Sequence, residues 1–343
     1  MAILNTRSPK WLSIDDVNIS YAVLKLYVWD GVSTAKPSTP IYTIRKSVLA
    51  GSEYIYFEIA ELVRDELDVI FDGNYNGQAA WVSADISAYN ESGVELTDDS
   101  FSFIAFDGYD YFEELSSDTS SLRITNRELF VLKDNIFRVP IYTNTSPSIV
   151  FYSNGVVVGG ETFTNDPSSE YQVKYSAYLG AVDKIEVLSG NETETIKVNV
   201  LEECKYEPKK VTFINKFGVL QDVYFFKKSV ENMTIEKESY KSNILDVSMQ
   251  YSRSSHVNRD FNIIGKESTT LSSGFLSEEY NEVFKQMMLS EGVWVTNVKN
   301  GVEQVLPINV STSDITYKTS LNDKLVEYTI EFDNSYDTIN NVR

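Results

Sequence analysis

Cysteine and histidine are almost absent from this 343-residue chain, which contains one of each, Cys204 and His256. A lone cysteine cannot close an internal disulfide, and the pair cannot supply a tetrahedral zinc site of the Cys/His kind. No apolar run approaches the ~20 residues that span a membrane, and the start MAILNTRSPKWL lacks the features of a secretory signal. We therefore expect cytoplasmic synthesis, no membrane insertion and no cofactor.

Basic residues are outnumbered, with 30 Lys and Arg against 50 Asp and Glu, and the formal net charge is −20. Proteins that bind nucleic acid normally neutralise phosphates with a basic surface, so sequence-specific nucleic-acid binding is not expected. The acids are spread along the chain and do not form a tail, which is typical of a soluble, self-repelling surface.

Catalytic motifs are missing as well. His256 lies in the polar segment QYSRSSHVNRDFN without a G-x-S-x-G elbow, and we expect it in an exposed loop or at a strand edge. Acidic doublets such as Asp15-Asp16 point to opposite faces of a strand, so they do not by themselves form the carboxylate pair of a glycosidase. The sequence VVVGGETF has neither the G-x-G-x-x-G nor the G-x-x-x-x-G-K-[ST] spacing of phosphate-binding loops. We therefore expect that the protein is not an enzyme.

Two acidic segments have the composition of a ligand site. The sequence DGNYNG at residues 72–77 matches the first half of a calcium loop, but Ser83 occupies the position of the bidentate Glu, so a turn is favoured. The second segment, FDGYDYFEEL, offers Tyr109, Tyr111 and Phe112 to a cation or a sugar. Rings tucked under a domain edge or against a partner subunit are the favoured interpretation.

The 22 Tyr and 18 Phe, together with abundant Val, Ile and Thr, favour strands over helices. We predict a mainly β protein with tandem β-sandwich-like domains and a C-terminal sheet domain that carries one amphipathic helix. The predicted domains are 1–118, with a short helix at 57–67, then 119–206 and 207–343. The boundary near 118 rests on the serine-rich, polar stretch at 113–127.

The predicted strands share period-two alternation or short apolar runs between turn signals. They are 17–29, 79–89, 101–106, 128–134, 136–142, 148–154, 171–178, 183–189, 195–202, a hairpin of 293–298 with 302–310, and 325–332. The helix is predicted at 275–291, with an apolar stripe through Val283, Phe284 and Met287, Ser277 as N-cap and Gly292 just past its end.

The stretch KVTFINKFGVLQDVYFFKK at 210–228 contains two aromatic strands around Gly218. The glycine lies where the chain must reverse or bulge, so a hairpin is predicted. Its wide aromatic faces need cover from another domain or another subunit.

FINKFGVLQDVYFF resembles the aromatic-Asn-Lys/Arg-aromatic-Gly stretch, followed by an aromatic strand, of virion structural proteins of tailed bacteriophages. The opening MAILNTRSP, with SYAVLKLYVWDG and TPIYTIRKSV, is similar to the N-terminal part of such proteins. The resemblance implies a structural component of the tail, hub, baseplate or collar that acts through ring-like assembly with other copies and other virion proteins. It also implies location in the virion. The acidic net charge, and not the resemblance, prompts a further expectation of a non-adhesive DNA channel, whose acidic faces would repel DNA phosphates.

Two alternatives stay open at this point. One is a carbohydrate- or receptor-binding adhesin module, and the other is a polysaccharide-degrading enzyme. The candidate assembly residues are aromatic or lie in the glycine turn: Phe213, Phe217, Gly218, Tyr224, Phe226, Tyr109, Tyr111 and Phe112.

Overall fold

The computed structural model describes most of the chain. The described ranges are 2–75, 79–110, 120–133, 135–143, 145–164, 173–202, 205–243, 245, 247–250, 254–299, 302–314 and 325–338. Within them the chain forms 23 strands and two helices. This confirms the predicted class: a mainly β protein with tandem β-sandwich-like units and one amphipathic helix on the C-terminal sheet.

The N-terminal unit packs a large sheet against a small one. Its elements are β1 Ala2–Asn5, β2 Trp11–Asp15, β3 Tyr21–Trp29, β4 Tyr42–Ser47, β5 Tyr54–Glu58, α1 Ala60–Arg64, β6 Ala79–Tyr89 and β7 Glu95–Phe106. The large sheet has the order β1-β7-β6-β3-β4, and β2 pairs with β5. Leu24 and Ile86 of the large sheet share a buried core with Ile14 and Phe57 of the small one.

Helix α1 is shorter than the predicted 57–67 because the chain leaves a strand only at Glu58. The Glu58 side chain then accepts hydrogen bonds from the backbone N–H groups of Ala60, at 2.8 Å, and Lys10, at 3.2 Å. A first-turn N–H is thereby satisfied by a carboxylate, which stabilises the start of a short helix.

The middle unit has the same layered arrangement. Its strands are β8 Glu128–Leu132, β9 Phe137–Tyr142, β10 Ser148–Ser153, β11 Val156–Thr162, β12 Val173–Tyr178, β13 Lys184–Ser189 and β14 Glu192–Leu201. The order of the larger sheet is β11-β10-β13-β14-β8, and β12 pairs with β9. Ile149 and Ile185 of the larger sheet pack with Phe137 and Val139 of β9, which closes the core.

The C-terminal unit is built on a seven-stranded sheet. Its elements are β15 Lys209–Ile214, β16 Leu220–Phe225, β17 Val230–Lys241, β18 Asn258–Ser272, β19 Leu276–Ser277, α2 Tyr280–Met288, β20 Val293–Lys299, β21 Val302–Val310, β22 Leu325–Val326 and β23 Thr329–Asn334. The order is β16-β15-β20-β21-β23-β18-β17, and β19 pairs with β22. Phe284 of α2 packs against Phe225, with ring centroids 6.0 Å apart, so the helix covers one face of this sheet.

The prediction for the ends of the helix at 275–291 was wrong, although its apolar stripe is buried. Helix α2 begins at Tyr280 because Leu276 and Ser277 pair with β22 as a strand. Ser277 is therefore not the N-cap. That position belongs to Glu279, whose carboxylate accepts a hydrogen bond from the backbone N–H of Arg127 at 3.0 Å and makes no cap bond.

Each sheet draws its strands from one stretch of the chain, but one core cluster joins all three units. Trp81 and Phe106 pack on the face of the N-terminal sheet that its own small sheet leaves uncovered. Tyr142 of the middle unit and Val219 of the C-terminal unit complete this cluster. None of the helices in the described residues is long and apolar enough to cross a membrane.

Candidate interaction surface

The turn between β15 and β16 lies directly against the N-terminal unit. Gly218 has φ +72°, and a Cβ placed on it would lie 2.7 Å from the backbone nitrogens of both Asp107 and Gly108. A Cβ on Gly108 would lie 2.7 Å from the Lys216 carbonyl oxygen. The backbone N–H of Tyr109 donates to that same oxygen at 2.8 Å. Both glycines are required because two backbones touch here.

A buried polar network supports this turn from inside. The Asn215 side-chain amide donates to the Arg123 carbonyl at 2.8 Å and to the Gln221 side chain at 3.0 Å, and its oxygen accepts from the Phe217 N–H at 3.0 Å. Gln221 donates to Asn126 at 3.2 Å. Gln286 of α2 accepts from the backbone N–H of Lys216 at 3.2 Å. These amides fix the turn relative to the segment that leads into the middle unit.

Arg123 is a buried cation in the same junction, with 5 % of its surface exposed. Its guanidinium carbon lies 4.7 Å from the ring centre of Tyr142 and 5.5 Å from that of Phe217. A desolvated guanidinium over an aromatic face is favourable by about 2 kcal/mol. Arg123 thus joins the middle and C-terminal units through its planar side chain.

Charged groups cluster at the outer edge of this junction. Arg64 Nε lies 3.5 Å from Asp107 Oδ1, and Arg7 lies 3.6 Å from Glu291. Burial raises the pKa of the Asp107 carboxyl, although Arg7 and Arg64 act in the opposite direction. The hydrogen bond from Arg64 lowers the pKa of Glu291. The cluster connects the N-terminal unit to the segment just after α2.

Tyr75 brings the three units together at a second point. Its hydroxyl donates to the Asp222 carboxylate at 2.7 Å, and its ring centre lies 5.2 Å from that of Tyr175. Burial, together with the Asp222 charge, raises the pKa of Tyr75. The Tyr175 hydroxyl in turn accepts the backbone N–H of Leu220 at 2.9 Å. A tyrosine of the N-terminal unit is therefore inserted between the other two.

Three of the seven aromatic residues proposed from the sequence as an assembly surface are in the core. Phe213 is fully buried, and Tyr224 and Phe226 are 5 % and 3 % exposed. Phe213 shares a core with α2, and Leu132 and Leu201 of the middle unit pack against the same cluster. The cover that these rings need comes from the chain itself, so they offer no surface to a neighbouring copy.

The other proposed residues have different positions. Phe217 is half-buried beside Arg123, and Gly218 is buried in the turn. Tyr109 is half-buried, with the Arg7 guanidinium carbon 5.7 Å from its ring centre. Tyr111 and Phe112 lie outside the described residues.

The sequence motifs considered for catalysis or metal binding lie in an exposed segment and in a turn. His256 is exposed just before β18. The Asp72 carboxylate accepts the backbone N–H of Asn74 at 2.9 Å, the Asx turn that the Asn- and Gly-rich sequence favours. Residues 76 and 77, the rest of this motif, lie outside the described ranges. Within the described part of the chain, no three His, Cys, Asp or Glu side chains are grouped so as to hold a metal ion.

A long hairpin of β17 and β18, which we call the arm, is the most exposed regular structure. All twelve residues of β17 are exposed, and so are the first six of β18. Its apolar side chains include Ile235, 60 % exposed, and Met233, 53 % exposed. Strand β17 also forms one edge of the seven-stranded sheet, so one side of its backbone has no neighbouring strand among the described residues.

Cross-strand contacts near the outer end of the arm are followed by a bulge closer to its base. The Tyr240 and Phe261 rings lie 5.6 Å apart near the outer end, and the Lys237–Asp260 ion pair spans the two strands at 2.6 Å. The pairing register shifts between Glu236 and Glu238, where Asn262 has φ +50°. A bulge of this kind twists the strands and limits continuous edge pairing.

A groove of about 320 Å³ lies at the base of the arm. Leu271, Ile308 and Phe332 form its floor and also belong to the core under α2. Met233 of the arm lines its edge, together with Glu267, whose carboxylate accepts hydrogen bonds from Asn334 and Thr338. The groove therefore extends the helix-covered face of the sheet out to the arm.

Sequence reasoning missed the arm and the amide network. The arm carries apolar residues on both faces, so it lacks the one-sided alternation that identifies a half-buried strand. Polar Asn215 and Gln286 stand within otherwise apolar stripes. That interruption is a signal that could have identified them as buried hydrogen-bonding residues.

No protein-family model matches the sequence, and no curated protein matches it. Among solved structures, CBD12 from CALX1.2 aligns at 14% identity over 54% of this chain and 75% of that chain, with a TM-score of 0.20. The calcium binding domain CBD12 of CALX1.1 aligns at 13% identity over 56% and 79%, also with a TM-score of 0.20. Scores this low carry no argument about function. The class of the protein, mainly β with sandwich-like units, is defined by its own sheets.

Proposed function

We propose that this chain is a structural subunit of a tailed-bacteriophage virion, in the tail, hub, baseplate or collar. It acts without catalysis, by assembling with other copies of itself and with companion virion proteins. The sequence resemblance supports this proposal, and the arm is the structural observation that carries it. The place of action is the virion, after synthesis in the host cytoplasm.

The arm suits assembly because its exposed apolar side chains and open edge would promote unwanted association of a monomer. A long strand with an open edge and exposed apolar side chains is a site for unwanted association, which soluble monomers normally cover or shorten. Here Met233, Ile235 and Phe261 stay exposed on a projecting hairpin, held at its base by the pairing of β18 with β23. In an assembly, a neighbouring subunit covers these side chains and excludes water.

The compact junction suits the same role. Arg123, Asn215 and Tyr75 hold the three units together through buried contacts. A subunit whose units keep a fixed orientation can repeat the same contacts around a ring. The acidic net charge supports a further proposal, that a channel lined by this subunit repels DNA phosphates and does not retain the genome. A map of the particle with a basic lumen overturns that channel role.

The test is detection of the chain in purified virus particles by quantitative mass spectrometry. We expect it at a fixed stoichiometry relative to the major capsid protein, retained after density-gradient purification. Its absence from particles that package DNA normally overturns the proposal. The adhesin alternative loses support because Tyr109 is half-buried against the rest of the chain.

A further inference from the structure

Two cationic side chains line a cleft between the middle and C-terminal units, away from the arm. The cleft has a volume of about 330 Å³, and its wall includes Arg138 of β9 and Lys210 of β15. Both side chains are half-exposed, so they can be reached from solvent. Within the described ranges, neither has an ion pair or a side-chain hydrogen bond. Unpaired cations are unexpected in a chain of net charge −20.

Both cations are held beside one aromatic ring. The Arg138 guanidinium carbon lies 4.2 Å from the Tyr75 ring centre, and Lys210 Nζ lies 5.7 Å from it. Two like charges near one ring repel each other, and an anion between them relieves that repulsion. The Asp222 carboxylate, at the hydroxyl of Tyr75, accepts hydrogen bonds from the hydroxyls of Tyr75 and Thr212. Asp222 does not line the cleft.

The rest of the described cleft lining combines apolar side chains with one carboxylate, two hydroxyl groups and one amide. Exposed Ile136 and Leu179 form part of its wall, and Glu303 is the single carboxylate among its described lining residues. Thr296 also lines the cleft and is 7 % exposed. Its Oγ1 is buried and has no hydrogen-bond partner in the described part of the chain. The walls therefore suit a ligand that combines an anionic group with an apolar body.

We propose that this cleft binds an organic anion, a carboxylate or a phosphate attached to a small apolar body. Arg138 and Lys210 receive the anionic group, and the wall around Ile136 and Leu179 contacts the apolar part. Glu303 opposes binding through its own negative charge. This site is separate from the arm, and its failure leaves the assembly role untouched.

The test is isothermal titration of the full chain with three matched probes. Benzoate and phenyl phosphate present the two anionic groups on one ring, and benzyl alcohol is the neutral control. We expect saturable binding of at least one anion, with the preferred probe identifying the group. Arg138→Gln and Lys210→Gln each weaken this binding by about tenfold, since a charge-assisted hydrogen bond is lost. Glu303→Gln strengthens it, which is a change of opposite sign in the same cleft.

Matched controls lie outside the cleft. Arg45→Gln removes a guanidinium stacked on a different tyrosine, 3.7 Å from the Tyr21 ring centre, and Lys174→Gln removes an exposed lysine of β12. We expect neither to change the affinity. If Arg138→Gln or Lys210→Gln fails to fold, the inference is tested by Glu303→Gln and by the salt dependence of binding to the native chain. Added salt weakens only charge-driven binding. The inference is overturned by absence of saturable anion binding, by equal affinity for benzyl alcohol, or by affinity unchanged in all three cleft variants.

Discussion

Gly108 and Gly218 lie back to back, so that a Cβ on Gly218 would come within 2.7 Å of the Gly108 backbone nitrogen. One glycine belongs to the segment after β7 and the other to the turn between β15 and β16. Contact between these two backbones sets how the N-terminal unit meets the C-terminal sheet.

The first prediction concerns this contact. Gly218→Ala places a methyl group against backbone atoms. The alanine must also adopt the left-handed conformation that Gly218 has, which alone costs about 1–2 kcal/mol. We expect a loss of unfolding free energy well above that value, measured by urea denaturation. Gly155→Ala is the matched control, because Gly155 has φ +78° with nothing within 4 Å of an added Cβ. Equal losses in the two variants would contradict the close approach.

A second prediction tests the buried cation. Arg123→Met introduces an apolar side chain of similar length and removes the charge over the Tyr142 and Phe217 rings. We expect a loss of about 2–3 kcal/mol of unfolding free energy. Arg45→Met removes an exposed guanidinium over Tyr21 and is expected to cost under about 1 kcal/mol. Thermal and urea unfolding of both variants measure the difference.

The third prediction concerns pH and uses two carboxylates with opposite shifts. The pKa of Asp107 is raised by burial, so its folded state binds more protons than the unfolded state, and its contribution to stability falls as pH rises through the raised pKa. The pKa of Glu291 is lowered by Arg64, so its contribution is present above the unfolded pKa and is lost as pH falls through the folded pKa.

Consequently, the two neutralising variants should respond to pH in opposite directions. Relative to the native chain, the unfolding free energy of Asp107→Asn should rise as the pH increases from about 3 to 7. That of Glu291→Gln should fall over the same range. The Glu291 effect is small because its side chain is 64% exposed and solvent screens it. Urea unfolding at several pH values gives both slopes, and slopes of the same sign would refute the assignment.

Several elements follow from local sequence pattern alone. Strand β6 occupies residues 79–89 as its alternation predicts, and the stripe through Val283, Phe284 and Met287 is buried under the helix. Local pattern fails where distant segments meet. Trp81 is buried in a cluster with residues of the other two units, and no short-range periodicity contains that information.

The candidate site shows the same division. The aromatic strands around Gly218 were identified from their sequence, but Phe213 and Tyr224 are covered by parts of the chain that are remote in sequence. The arm escaped because Ile235 and Tyr240 lie on opposite faces of an exposed strand, which gives no one-sided apolar pattern.

A fourth prediction separates the arm from the stability of the fold. Ile235→Glu changes a side chain that is 60 % exposed, so the free energy of unfolding should change by no more than about 0.5 kcal/mol. Leu49→Glu, at a loop position 75 % exposed, is the control for adding one acid to the surface. A large loss of stability in Ile235→Glu alone would show that the arm serves the fold and not a partner.

Sedimentation velocity of the full chain over a wide concentration range tests the central claim most directly. We predict that the native chain and Leu49→Glu self-associate as concentration rises, while Ile235→Glu stays monomeric with an unchanged fold, because the added charge disrupts the apolar contact of the arm. A native chain that remains monomeric at the highest concentration, or an Ile235→Glu variant that associates as the native chain does, would contradict the assignment of the arm to assembly.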